Sequence, residues 1–196
     1  IGTILIEPEQ QRYLSSDAFF WNVTFHEVAH GLGVKETVNG LGAVDAALGN
    51  ESSVWEEAKA DILGLYMVCN LIDKGEIPLI SKESAITTYI ASLVRSVRFG
   101  AAGAHGRANM MCYNFLKDNG AFERNKDGLY HINYDKVPEV VAAWAELIIT
   151  TQATGNYMFA KEYDTNHAVV PEALSADIAN VNRGGVPVDI RFEFVW

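Results

Sequence analysis

Ser52-Ser-Val-Trp-Glu-Glu-Ala-Lys-Ala-Asp-Ile-Leu-Gly-Leu-Tyr-Met-Val-Cys-Asn-Leu-Ile-Asp-Lys-Gly75 reads as one long helix with both ends marked. Ser52-Ser53 is placed to cap a helix running from about Val54 to Lys74, and Gly75 is placed to end it. Three carboxylates, Glu56, Glu57 and Asp61, fall in its first two turns, where the helix dipole favours negative charge. Glu57 and Asp61 are four positions apart and project from one face, while Glu56 points elsewhere. A solvated acidic helix start would carry the same residues, so the stretch gains chemical meaning only from a partner.

That partner lies upstream. His26-Glu27-Val28-Ala29-His30 is an HExxH motif. On a helix its two imidazoles sit one turn apart on one face, where they can bind a single zinc ion, and Glu27 reaches the metal-bound water as general base. Ser15-Ser16-Asp17 offers this helix an N-cap. Between Ala18 and Gly31, apolar residues (Phe19, Phe20, Trp21, Val23, Phe25, Val28, Ala29) fall all round it, so the helix reads as buried. An uncompensated carboxylate there would cost on the order of several kcal/mol, a cost that a metal ion and its water would answer. A two-histidine site needs a third protein ligand and one open position. Glu57 suits the ligand role and Asp61 suits an acceptor that orients a histidine through its other ring nitrogen, a service Glu56 could also perform. Residues 31–53, between the two helices, carry five glycines in a long loop of the kind that lines functional sites.

Further out, helical patterns cover 82–98, 103–118, 136–153, 156–164 and 171–182, with stops at Asp118-Asn-Gly120 and Thr154-Gly-Asn156. Gly2–Glu7, Leu129–Tyr134 and Val188–Trp196 read as short strands. The expectation is a mostly α fold, multi-helix with minor β at the termini, in one domain over 1–196. Hydrophobic residues make up 49% of the chain and charged residues 20%, which excludes a disordered tail. Fifteen basic residues against twenty-five acidic ones give a formal net charge of −10. With no basic patch beyond the scattered Arg95, Arg98 and Arg107, this argues against nucleic acid and anionic membranes as partners. No run of 18 apolar residues offers a membrane span. Cys69 and Cys112 read as reduced core thiols, His131 and His167 as structural or solvent-facing, and Trp21, Trp55 and Trp144 as core. Gly100-Ala-Ala-Gly103 lacks the Lys-Ser/Thr of a phosphate loop, so nucleotide binding is discarded. The chain opens without Met or a signal-peptide pattern, and both ends look cut. A cytoplasmic domain from a longer protein is expected.

His26-Glu-Val-Ala-His30-Gly followed by Glu56-Glu-Ala-Lys-Ala-Asp61-Ile-Leu-Gly-Leu-Tyr resembles the dipeptidyl peptidase III family of zinc metallopeptidases. That family pairs a histidine motif with a downstream EExxxE/D helix that runs on into a GLY-like stretch. Ala104-His105-Gly-Arg107-Ala-Asn109 is similar to the segment carrying the family's transition-state histidine, and Lys136 to Tyr157 adds a softer likeness. The resemblance covers roughly residues 15–165. It implies a zincin-like catalytic domain with His26, His30 and Glu57 holding one zinc per chain and Glu27 as base. Asp61 and Glu56 would stand behind the ligands, and His105 would stabilise the developing oxyanion or hold substrate. Arg107 and Asn109 would contact a peptide carboxylate or backbone. Implied partners are a peptide substrate and the remaining lobe of a longer, two-lobed protein. Two departures are visible. The family commonly has HExxGH where this chain has the ordinary five-residue zincin spacing, and its enzymes are much larger. The expected function is zinc-dependent peptide hydrolysis of the dipeptidyl-peptidase III kind. The alternatives are a zinc aminopeptidase, endopeptidase or other amide hydrolase, and a zinc-binding interaction domain with a silent catalytic centre.

Overall fold

The computed structural model describes residues 1–98 and 100–187. In chain order the elements are α1 (Gly2–Leu5), α2 (Ser16–His30), α3 (Val44–Leu48), α4 (Ser52–Asp73), α5 (Lys82–Val97), α6 (Ala104–Asp118), β1 (Phe122–Arg124), β2 (Tyr130–Ile132), α7 (Val137–Thr154), α8 (Tyr157–His167) and α9 (Glu172–Arg183). The fold is mostly helical, as the apolar periodicity implied, and none of the described helices is long and apolar enough to cross a membrane.

Helix α4 is the axis of the domain. α2, α5, α6 and α7 all pack on it, so it is buried along most of its length from Val54 and Trp55 to Val68. Trp55 and Trp144 of α7 are both wholly buried and meet with ring centroids 6.3 Å apart. The Ser15 side chain accepts from the Ala18 amide and caps α2, and Gly75, at φ +75°, ends the α4 segment. The expected Ser52-Ser53 cap does not form. A 3-10 turn at Gly49–Glu51 feeds directly into α4, so Ser52 is already its first residue.

The strands differ from expectation. β1 and β2 form an antiparallel hairpin in mid-chain, with Phe122 opposite Ile132. The opening residues coil instead into α1, with the Ile6 amide donating to the Gly2 carbonyl. β2 offers only a three-residue edge, and Ile6 alone makes a parallel bridge to it at Tyr130. The Val188–Trp196 run lies outside the described residues.

The buried reading of α2 is also corrected. Only Ala18, Asn22 and Ala29 are buried, with Trp21 and Phe25 partly so, while Phe20 is 62% exposed and Phe19, Val23 and Val28 are exposed too. Within its packed stripe Asn22 donates to the Ala85 carbonyl of α5, and the close approach to α4 comes at Phe25 and His26 against Gly64. Phe19, Phe20, Val23 and Val28 face outward, with the Arg95 guanidinium over the Phe19 ring.

Candidate metal centre

α2 and α4 meet at closest range beside His26. A Cβ built at Gly64 of α4 would lie 2.8 Å from the His26 amide nitrogen, so no other residue fits there without a backbone shift. This contact fixes the height of His26 against the carboxylates one and two turns earlier on α4.

Two supports hold the imidazoles. Asp61 Oδ1 accepts from His26 Nδ1 at 2.7 Å, and Asp61 Oδ2 accepts from Asn109 Nδ2 at 3.0 Å. Glu56 Oε1 accepts from His30 Nδ1 at 3.1 Å and from Lys59 Nζ at 2.7 Å. With a carboxylate at each Nδ1, the proton belongs on that nitrogen, and both Nε2 atoms turn inward. They lie 3.2 Å apart. Glu57 Oε2 completes the group, 3.4 Å from His26 Nε2 and 3.9 Å from His30 Nε2. It is buried and forms no well-directed hydrogen bond.

Three lone-pair-bearing atoms facing one point need a cation between them. In the protein without metal, a proton on His26 serves: burial opposes it, but Asp61 and Glu57 outweigh burial and raise that pKa to about 10. Burial likewise works against ionised Glu57, yet His26, His105 and His30 bring its pKa below the usual value. A tetrahedral zinc ion with ligand bonds near 2.0–2.1 Å holds its donors about 3.3 Å apart. The observed spacings fit such an ion without large rearrangement, and His26, His30 and Glu57 form the candidate metal cluster of the described residues.

His105, at the start of α6, is exposed and brings Nε2 to 3.0 Å from Glu57 Oε2. Its ring lies nearly parallel to that of His26 at 6.3 Å. Glu27 is exposed, so the desolvation cost inferred for it from a buried helix does not arise. It lines a groove with His26, His105, Phe19 and Val23. Arg107 and Asn109 are drawn into internal pairs: Arg107 bonds Glu51 and Asp164, and Asn109 bonds Asp61 and the His105 carbonyl. Asn109 therefore braces the His26 support, and Arg107 ties α6 to α8. Sequence reasoning passed over Lys59 and Gly64. A lysine near a helix start reads as surface, and a helical glycine betrays a close approach only once its neighbour is known.

Together with the helical core, this three-donor cluster defines a helical domain built round a candidate metal centre. A dipeptidyl peptidase III from Caldithrix abyssi superposes at a TM-score of 0.91 with 32% identity, over 96% of this chain and 36% of that one. The dipeptidyl-peptidase III of Corallococcus sp. strain EGB gives 0.91 and 33%, over 97% and 35%. Over nearly its whole length the chain is similar in sequence and in its helical fold to part of these dipeptidyl peptidase III structures. It spans about a third of the length of these solved structures. No family model matches the chain. In sequence it is 32% identical over 198 residues to the Nudix hydrolase 3 of Arabidopsis thaliana, covering 99% of this chain and 26% of that protein. The two names differ. Both likenesses take in nearly the whole of this chain, and they cover about a quarter of the plant protein and about a third of each solved peptidase.

Proposed function

We propose that the chain is the catalytic domain of a zinc-dependent metallopeptidase of the dipeptidyl-peptidase III kind, one domain over 1–196 that works in the cytoplasm with the remaining lobe of a longer protein. The observation that carries this reading is the convergence of His26 Nε2, His30 Nε2 and Glu57 Oε2 on one point. These three residues would hold one zinc ion per chain. When bound, zinc supplies Lewis acidity toward the peptide carbonyl and lowers the pKa of water to about 7.

The chain's own residues do the rest. Asp61 and Glu56 keep the imidazole protons on Nδ1, so both Nε2 atoms stay available. Glu27, exposed on the groove wall beside His26, takes a proton from the attacking water and delivers it to the leaving amine. His105 donates a hydrogen bond to the oxygen on which negative charge develops, within reach of the cluster as its 3.0 Å contact with Glu57 indicates. Phe19 and Val23 give the groove an apolar wall for a peptide side chain.

The test is Glu27→Gln in the intact protein, assayed on fluorogenic dipeptide substrates and on longer peptides. Zinc content should be retained and hydrolysis should fall by about 10²–10⁴-fold. Turnover equal to the parent's would refute the assignment. Cleavage of longer peptides alone would move the protein to the endopeptidase reading.

A further inference from the structure

Lys59 is an unusual residue to find beside this centre. It is 1% exposed, and no other lysine or arginine among the described residues is buried. Its ammonium donates to Glu56 Oε1 at 2.7 Å, to the Leu32 carbonyl at 2.7 Å and to the His30 carbonyl at 3.4 Å. An ammonium has three donors, and all three are used. The chain is shaped round its stem: Gly33 takes φ +83°, and a Cβ there would stand 3.0 Å from Lys59 Cδ. A buried cation whose partners are all supplied is held in place, because losing any one of them leaves charge uncompensated.

What it holds is His30, from two sides. Glu56 Oε1, pinned by Lys59, is the same atom that accepts from His30 Nδ1. The His30 carbonyl belongs to the last turn of α2, where a helix leaves acceptors without partners, and the Leu32 carbonyl lies two residues past its end. Exposed Lys35 also reaches the His30 carbonyl, at 3.1 Å, but does not bond Glu56. The ring and the backbone of His30 are thus tied to a single buried charge.

We propose that Lys59 is the positioning residue of the His30 arm: it clamps Glu56 against His30 Nδ1 and ties off the end of α2, so that His30 Nε2 faces His26 and Glu57. The inference rests on the metal reading above and adds to it a residue that touches neither metal nor substrate. A residue serving only to plug the core would change unfolding without changing metal affinity, and this distinction sets the experiment.

Zinc affinity of the intact protein is measured by chelator competition for the parent, Lys59→Met, Lys59→Arg and Glu56→Gln. Thermal unfolding of the metal-free forms and the visible absorption of the Co²⁺-loaded forms are recorded alongside. Lys59→Met keeps the stem and removes the charge; it should weaken zinc binding by about 10–100-fold and alter the Co²⁺ bands. Lys59→Arg should recover most of the affinity. Parental affinity in folded Lys59→Met overturns the proposal. Should that variant fail to fold, Glu56→Gln decides, since it removes the carboxylate charge that joins Lys59 to His30 but leaves the ammonium on both carbonyls; parental affinity there also overturns it. A parent that binds no zinc overturns the metal reading and this inference with it, whereas zinc held equally by parent and Lys59→Met overturns this inference alone.

Discussion

The two histidines of the motif are held in different ways. His26 sits in mid-helix against Gly64, bonded to Asp61 at 2.7 Å, with side-chain exposures of 14% and 17% for the pair. His30 is the last residue of α2, bonded to Glu56 at 3.1 Å, with exposures of 31% and 35%. A neutral amide, Asn109, braces the first carboxylate, while a buried ammonium braces the second. The inner arm is rigid through close packing of two helices. The outer arm lies where a helix frays, and there a charge does what packing does for the inner one. A metal centre needs both donors fixed, and the chain reaches that end by two physical routes.

Three substitutions would break or sharpen this contrast. The largest effect is expected from Gly64→Ala. Its methyl would meet backbone rather than a movable side chain, so α2 and α4 must part at His26, costing about 1–3 kcal/mol of stability. Chemical denaturation should report the loss, and the same variant should bind zinc poorly because His26 is displaced. Next comes Asp61→Asn, which removes the acceptor charge from the better-shielded arm; a loss of zinc affinity near 100-fold is expected by chelator competition. Glu56→Gln, on the more exposed arm, should lose about 10-fold in the same assay. Equal losses in the last two would mean that burial does not separate the arms.

How much of this was legible beforehand depends on the distance over which each cause acts. HExxH and Glu56-Glu57-x-x-x-Asp61 are local patterns on single helices, so their faces could be read from spacing, and the geometry brings His26, His30, Glu56, Glu57 and Asp61 together. Helix positions were legible for the same reason, because periodicity and capping residues act within a turn or two. Lys59 was not, since its burial depends on the Leu32 and His30 carbonyls, nearly thirty residues upstream. Nor was Gly64, whose role exists only against His26. The exposed aromatic side of α2 was misread because apolar composition records what a surface can cover, not what stands next to it. The strand expected at Gly2–Glu7 failed for want of a long enough edge to pair with. Arg107 and Asn109, read as candidates for peptide contacts, also bond residues of α4, α8 or the turn before α4, partners that lie about fifty residues away in the chain.

The central claim is that two imidazoles and one carboxylate converge to bind a metal ion. Metal content of the purified protein, by elemental mass spectrometry beside Glu57→Ala, tests it most directly. The account predicts about one zinc per chain in the parent and a marked loss in the variant, which lacks the third ligand. A parent that stays free of zinc after reconstitution, or a variant that retains it fully, would contradict the account.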